Sequence, residues 1–137
     1  MKKRQRNLKP KVLFNASVIL AGIFSSSGGS AKVSNFVKEG KIVGVISEVI
    51  LDEVFRHTKK FDSETWQIIP APGEKIVKKY DKIVVDQGDS HVLASAEESK
   101  ASLLVTLDKK HLLILKGKIK GLKILTPGEL IKLLSSK

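Results

Sequence analysis

The strongest constraint on the fold is a regular alternation of short apolar runs with segments of helical periodicity. The predicted strands are residues 11–14, 42–46, 83–85, 103–106 and 123–125. The predicted helices are residues 16–23, 31–39, 48–60, 90–99, a short one at 109–113, and one from residue 126 onward. Short apolar strands separated by helices are typical of a parallel sheet that is covered on both faces. The sequence therefore predicts an α/β fold with a central parallel sheet of about five strands.

The domain organisation follows from length and local composition. A chain of 137 residues has room for one hydrophobic core. Residues 1–10 are polar and basic, and we interpret them as an N-terminal tail that precedes a single domain over residues 11–137. Residues 61–82 have no clear periodicity, and Pro70 and Pro72 exclude a long helix there.

The formal net charge of +11 is concentrated in two places. Residues 1–11 contain six basic side chains, and residues 109–123 contain six lysines, with no carboxylate in either segment. Two such clusters indicate a polyanionic partner, RNA or DNA, although a lysine-rich surface that serves solubility has the same composition. Aromatic residues make up only 5% of the chain, so base stacking is not expected to dominate binding.

The residue types that are missing exclude several classes of protein. The chain has no cysteine, which rules out a disulfide scaffold, a thiol nucleophile and a cysteine-ligated metal, and which is consistent with the cytoplasm. The longest apolar run, Val18 to Phe24, is far shorter than the roughly 20 residues that cross a bilayer. We therefore expect no association with membranes.

Polar side chains follow three of the predicted strands. Asn15 follows the first strand, Asp86 and Asp89 follow the third, and Asp108 follows the fourth. Ligands of open parallel sheets bind outside the carboxyl ends of the strands, so these groups are expected to converge. A cluster of oxygen ligands suits Mg²⁺ or Mn²⁺. Taken singly, each aspartate is also a common turn or helix-cap residue.

The order and spacing of these residues resemble the PIN-domain family, named after the PilT N-terminus, and in particular its VapC-like toxin branch. The resemblance covers residues 11–135. It rests on the segments 12–20 (VLFNASVIL), 47–54 (SEVILDEV), 86–96 (DQGDSHVLASA), 105–113 (VTLDKKHLL) and 124–130 (ILTPGEL). It implies a three-layer α/β/α fold and an endoribonuclease that depends on Mg²⁺ or Mn²⁺.

The resemblance also assigns site residues. The catalytic positions of the family fall on Asn15, Glu53, Asp89 and Asp108, and the metal ligands would be these four together with Asp86 as an accessory. The family's first acid is replaced here by Asn15, and its nearby Asn by Ser17. The lost negative charge predicts a weakened or inactive nuclease. The alternative is an inactive PIN-fold module that binds RNA or a protein.

The same resemblance implies the partners. Toxin members of the family form homodimers and are inhibited by a cognate antitoxin protein, so both are expected here beside an RNA substrate. A histidine-based metal site is the weaker interpretation of Glu53 and His57 with His91 and His111. The four-residue spacing of Glu53 and His57 favours an ion pair that faces solvent.

Overall fold

The computed structural model describes residues 9–84 and 86–135 of the chain. Its centre is a five-stranded sheet in which all neighbouring strands are parallel, in the order β3-β2-β1-β4-β5. The strands are β1 (Lys11–Phe14), β2 (Val43–Ser47), β3 (Gln67–Ile69), β4 (Leu103–Val105) and β5 (Lys123–Leu125). The predicted α/β class and the number of strands are confirmed.

Helices cover both faces of this sheet. They are α1 (Ala16–Phe24), α2 (Gly29–Lys38), α3 (Glu48–His57), α4 (Glu74–Tyr80), α5 (Gln87–Ser99) and α6 (Pro127–Ser135), with a 3₁₀ turn at Leu113–Leu115. Helix α1 contacts α2 and α3, α2 contacts α6, and α4 packs on α5, which lies on β1 and β2. The predicted three-layer α/β/α arrangement is confirmed. Within the described residues, no helix combines the length and the apolar character that crossing a membrane requires.

Strand β1 lies at the middle of the core because its apolar run is buried on both faces. Val12, Leu13 and Phe14 are fully buried. The ring of Phe14 meets the ring of Trp66 edge-on, with the ring centroids 4.7 Å apart. The backbone carbonyl of Pro10 already accepts a 2.9 Å hydrogen bond from the amide of Val43, so pairing with β2 begins just before β1. Residues 1–8 of the predicted basic tail lie outside the described residues.

The predicted third strand is wrong for Ile83 and Val84. Ile83 lies in a turn with 46% of its surface exposed, Val84 is irregular, and Val85 lies outside the described residues. The third strand is instead Gln67–Ile69, within the segment that has no clear periodicity. This strand lies at the edge of the sheet and pairs only with β2. Because its other side is open, Gln67 and Ile68 are exposed, and the segment has no continuous apolar pattern that would reveal it in the sequence.

Other boundaries differ by less. Helix α4 occupies the same unpatterned segment and begins after Pro72, where a proline does not interrupt helical hydrogen bonds. The short helix predicted at 109–113 is wrong, because residues 109–112 form turns and the 3₁₀ turn comes next. Helix α3 ends at His57, three residues earlier than the sequence predicts.

The strand order places a topological switch point between β1 and β4. From β1 the chain adds β2 and then β3 on one side, and then β4 and β5 on the other. The loops that leave β1 and β4 therefore diverge to opposite sides and open a crevice at the carboxyl ends of these strands, where ligands of such sheets bind.

Candidate metal centre

Asn15 and Thr106 meet in the crevice between β1 and β4. The backbone amide of Asn15 donates a 3.0 Å hydrogen bond to the carbonyl of Val105, which extends the pairing of the two strands by one residue. Asn15 stands at the N-cap of α1, but its side chain does not cap that helix. Its amide nitrogen Nδ2 instead donates a 2.8 Å hydrogen bond to Oγ1 of the fully buried Thr106.

The same hydroxyl oxygen also holds the loop that carries Asp108. The backbone amide of Asp108 donates a 3.0 Å hydrogen bond to Oγ1 of Thr106. The preceding residue is tied to α1, since the amide of Leu107 donates 3.3 Å to Oγ of Ser17. Thr106 and Ser17 thus position the end of β4 against the start of α1.

Asp89 enters the crevice from the first turn of α5. The helix begins there because the Asp86 carboxylate caps it and accepts a 2.9 Å hydrogen bond from the amide of Gly88. Asp89 is buried, with 8% of its surface exposed, and its oxygen Oδ2 has no hydrogen-bond partner. Burial raises the pKa of Asp89, and the charges of Asp108 and Asp86 raise it further, whereas His111 lowers it.

Asp108 and His111 complete the cluster from the loop after β4. Oδ1 of Asp108 accepts hydrogen bonds from the backbone amides of Lys110, at 3.1 Å, and His111, at 2.9 Å. Nδ1 of His111 lies 3.4 Å from Oδ2 of Asp108 and 3.7 Å from Oδ2 of Asp89. One ligand atom from each of these three residues lies within 4.8 Å of the other two.

The structure brings together only part of the predicted site. Asp89 and Asp108 lie in one cluster, Asn15 is joined to it through Thr106, and Asp86 acts on Asp89 through its charge. Glu53 is exposed on α3 and is not a member of the cluster. Its backbone carbonyl lies 2.9 Å from Nδ1 of His57, so the ion pair predicted from their spacing is wrong: this contact is made to the backbone.

Sequence reasoning considers His111 only for a histidine-based site with Glu53, His57 and His91, and it misses the place of His111 beside Asp89 and Asp108. Its position three residues after Asp108 is a local signal, since a turn after a strand brings residues at that spacing together. The arrangement contains two carboxylates, one of them with a buried oxygen that no donor reaches, and an imidazole nitrogen. A buried carboxylate oxygen without a hydrogen bond is costly, and a bound divalent cation compensates this cost. The donor set therefore fits a divalent metal ion.

The lysines of the segment 109–123 do not share one surface. Lys109 and Lys110 are exposed in the turn directly after Asp108. Lys116 pairs with Glu129 on α6, with 2.6 Å between Nζ and Oε1. Lys118 and Lys120 line a cavity together with Ser102 and Leu122, which directly precede β4 and β5. These two lysines therefore lie at the amino ends of the strands, whereas the cluster lies at the carboxyl ends. Only Lys109 and Lys110 are thus adjacent to the candidate site.

Comparison with known proteins gives one family and two structural neighbours. The family model of the PIN domain matches residues 11–110. A chain of the VapBC2 complex from Rickettsia felis, solved with a DNA fragment from their promoter, has a TM-score of 0.58 and 15% identity, over 85% of this chain and 98% of that chain. PAE2754 from Pyrobaculum aerophilum has a TM-score of 0.61 and 17% identity, and the match covers 93% of this chain and 97% of that chain. No curated protein matches the chain.

Proposed function

The chain belongs to the PIN-domain family, and from this premise we propose that it is a metal-dependent endoribonuclease of the PIN type. The observation that carries the proposal is the pairing of Asp89 with Asp108 at the topological switch point, where Oδ2 of Asp89 is buried without a donor. The resemblance of the segments around these residues to the family's motifs supports the same assignment.

Each proposed ligand has a defined role. Asp89 and Asp108 hold Mg²⁺ or Mn²⁺ with their carboxylates. Asn15 offers its amide oxygen, because its nitrogen is engaged by Thr106. Asp86 adds negative charge beside Asp89, and Glu53 keeps the catalytic role that the resemblance implies, although it lies outside the cluster in this structure. A bound divalent ion supplies Lewis-acid polarisation of a phosphodiester and lowers the pKa of a water nucleophile.

Exposed lysines next to the cluster support RNA as the substrate. Lys109 and Lys110 are exposed directly after Asp108, and we assign their ammonium groups the role of binding phosphates that flank the scissile bond. Substrate positioning by such contacts lowers the entropic part of the barrier before any bond is broken. We assign the basic tail, residues 1–10, a similar role in holding the RNA backbone.

We assign the chain to the VapC-like toxins, acting in the cytoplasm as a homodimer under the control of a cognate antitoxin. The support is the motif resemblance and the shared fold with a chain of the VapBC2 complex. The domain proposed for this function comprises residues 11–137.

Asn15 favours a second candidate, an inactive PIN-fold module that binds RNA or a protein. An amide brings no charge, and Glu53 does not join the cluster, so among the described residues the cluster contains two carboxylates, Asp89 and Asp108. Fewer anionic ligands weaken the binding of a divalent cation. The nuclease itself is then expected to be a weak one.

The decisive experiment incubates the purified protein with a mixed RNA pool and Mn²⁺, beside an EDTA control. We expect cleavage that EDTA abolishes, that Asp89→Asn and Asp108→Asn each eliminate, and that Asp62→Asn retains. Asp62→Asn is the matched control because it removes one carboxylate from an exposed loop away from the cluster. Cleavage that survives in both cluster variants contradicts the site. If neither the wild type nor Asn15→Asp cleaves RNA, the nuclease proposal is contradicted and the binding module remains. The RNA affinity of that module is then measured directly.

A further inference from the structure

We infer that His111 is a nitrogen ligand of the metal ion, and that this ligand makes the site prefer a first-row transition ion to Mg²⁺. The inference rests on the metal site of the proposed function and deepens it. The favoured interpretation of the sequence is a site of oxygen ligands, whereas the folded chain adds the imidazole of His111 to two of them.

The position of the imidazole carries the argument. Nδ1 of His111 lies 3.4 Å from Oδ2 of Asp108 and 3.7 Å from Oδ2 of Asp89. Two ligand atoms that bind one ion at about 2.1 Å each lie about 3.0–3.5 Å apart, depending on the bond angle. The distance to Asp108 lies within this range and the distance to Asp89 slightly exceeds it, and Oδ2 of Asp89 has no hydrogen-bond partner. The three ligand atoms lie within 4.8 Å of one another, so a small approach of the side chains brings them around one ion.

The backbone holds His111 in this place. The amide of His111 donates to Oδ1 of Asp108 at 2.9 Å, and the next residue, Leu112, is fully buried and donates from its amide to the carbonyl of Asp108. These bonds fix the backbone from which the imidazole extends. Its side chain is 37% exposed, so an ion can reach Nδ1 from solvent.

A nitrogen ligand also offsets part of the metal affinity that is lost because Asn15 carries no charge. A neutral imidazole binds first-row transition ions through its lone pair, and their affinity for nitrogen ligands rises along the series from Mn²⁺ to Cu²⁺. Mg²⁺ prefers oxygen ligands and gains little from an imidazole. A site with two close carboxylates and His111 therefore retains affinity for Mn²⁺ after the loss of the carboxylate at position 15, but it loses more of its affinity for Mg²⁺.

The test uses Mn²⁺ alone as the probe, on the full chain, in the absence of RNA. Pulsed electron paramagnetic resonance distinguishes the strong ¹⁴N coupling of a nitrogen bonded to the ion from the weak coupling of a nitrogen that is only nearby. We expect this coupling in the wild type and in His57→Ala, and its loss in His111→Ala and His111→Asp. His57→Ala is the matched control because this exposed histidine lies on α3, outside the cluster. His111→Asp replaces the nitrogen ligand with an oxygen ligand, so bound Mn²⁺ without ¹⁴N coupling separates the loss of nitrogen from misfolding.

Selectivity between ions gives a second readout. Titration with Mn²⁺ and with Mg²⁺ should show a ratio of dissociation constants that favours Mn²⁺ in the wild type. This preference should fall by about tenfold or more in His111→Ala, since even partners behind the ligands change metal affinity by about 10–100-fold. In His111→Asp the preference for Mn²⁺ should approach the preference of a site that has oxygen ligands only.

The outcomes separate this inference from the proposed function. Equal ratios in all variants, or Mn²⁺ bound without ¹⁴N coupling in the wild type, overturn the role of His111 and leave it an ion-pair partner of the aspartates; RNA cleavage can still be present. Coupling that depends on His111 supports the inference even when no RNA is cleaved, in which case it is the nuclease that fails. A wild type that binds no Mn²⁺ overturns both.

Discussion

Nδ2 of Asn15 donates a 2.8 Å hydrogen bond to Oγ1 of Thr106, and this contact joins the ends of β1 and β4 at the candidate metal centre. The same Oγ1 accepts the backbone amide of Asp108, so one buried hydroxyl orients two of the proposed site residues. Because the amide nitrogen of Asn15 is engaged, the carbonyl oxygen is the atom of this side chain that is left for an ion.

Asn15→Asp is expected to strengthen metal binding and to increase RNA cleavage. The hydroxyl of Thr106 can donate to a carboxylate as readily as it accepts from an amide, so the geometry is retained while one negative charge is added. The affinity for Mn²⁺ should rise by about tenfold or more, as measured by titration calorimetry. Asn35→Asp adds the same charge on the exposed face of α2 and should leave the affinity for Mn²⁺ unchanged. Equal affinities in the two variants contradict the role of position 15.

Asp89→Asn is expected to stabilise the metal-free protein at neutral pH. Burial and the neighbouring carboxylates raise the pKa of Asp89 in the folded state above its ordinary value of 3.8. The folded state then binds this proton more tightly than the unfolded state does, so the stability linked to it is present below pH 3.8 and is lost as the pH rises through the raised pKa of the folded state. In urea unfolding with EDTA present, the free energy of unfolding of the variant should increase relative to that of the wild type from pH 4 to pH 7. Asp62→Asn provides the comparison, and a gain that does not change with pH contradicts the prediction.

The only tyrosine of the chain should titrate late. Burial, the hydrogen bond to Glu97 and the charge of Glu97 raise the pKa of Tyr80 from 10.0 to about 12. Its hydroxyl donates to Oε1 of Glu97 at 2.6 Å. The stability linked to this proton is present below pH 10 and is lost between pH 10 and about 12. Absorbance of tyrosinate should follow the same midpoint, and Tyr80→Phe should cost about 1 kcal/mol at pH 7. A midpoint near 10 in the folded protein is the contrary result.

Gly44→Ala should destabilise the fold. A Cβ at this position of β2 would lie 2.6 Å from Cγ2 of Val37 and 2.8 Å from the ring of Trp66. Such overpacking costs about 1–3 kcal/mol. Unfolding followed by the fluorescence of Trp66, the only tryptophan, measures the loss. Gly29→Ala is the control, because its added Cβ meets Pro127 at an ordinary 3.6 Å. Equal stability of the two variants contradicts the close packing of Trp66 on β2.

The two pairs of lysines should differ in RNA binding. Lys109→Ala with Lys110→Ala removes two charges next to the cluster, and Lys118→Ala with Lys120→Ala removes two at the opposite edge of the sheet. The first pair should weaken the binding of single-stranded RNA and lower the salt dependence of log K by about 0.7 for each lost phosphate contact. The second pair should change neither. Fluorescence anisotropy at several salt concentrations checks this, and equal losses would place the RNA elsewhere.

Local patterns determined the parts of this protein whose environment is uniform. The apolar runs of β1, β2 and β4 are largely buried because these parallel strands lie inside the sheet, and such runs are visible without knowledge of their neighbours. The convergence of Asn15 and Asp108 follows from the same rule, since each follows a strand that the sequence predicts. Asp89 also converges with Asp108, but it does so from the first turn of α5, because the strand predicted before it does not form.

The tertiary structure alone decided the rest. Strand β3 forms from Gln67–Ile69 because β2 offers an unpaired edge, which no local pattern of three residues records. Glu53 stays outside the cluster and His111 enters it, because the direction of a helix face and of a turn depends on packing against other elements. The lysines of residues 109–123 form one run in sequence but lie at opposite edges of the sheet, because the chain crosses from the carboxyl end of β4 to the amino end of β5 between them. Sequence periodicity reports which residues are buried, whereas the position of a charge in space depends on every element that the chain has crossed before reaching it.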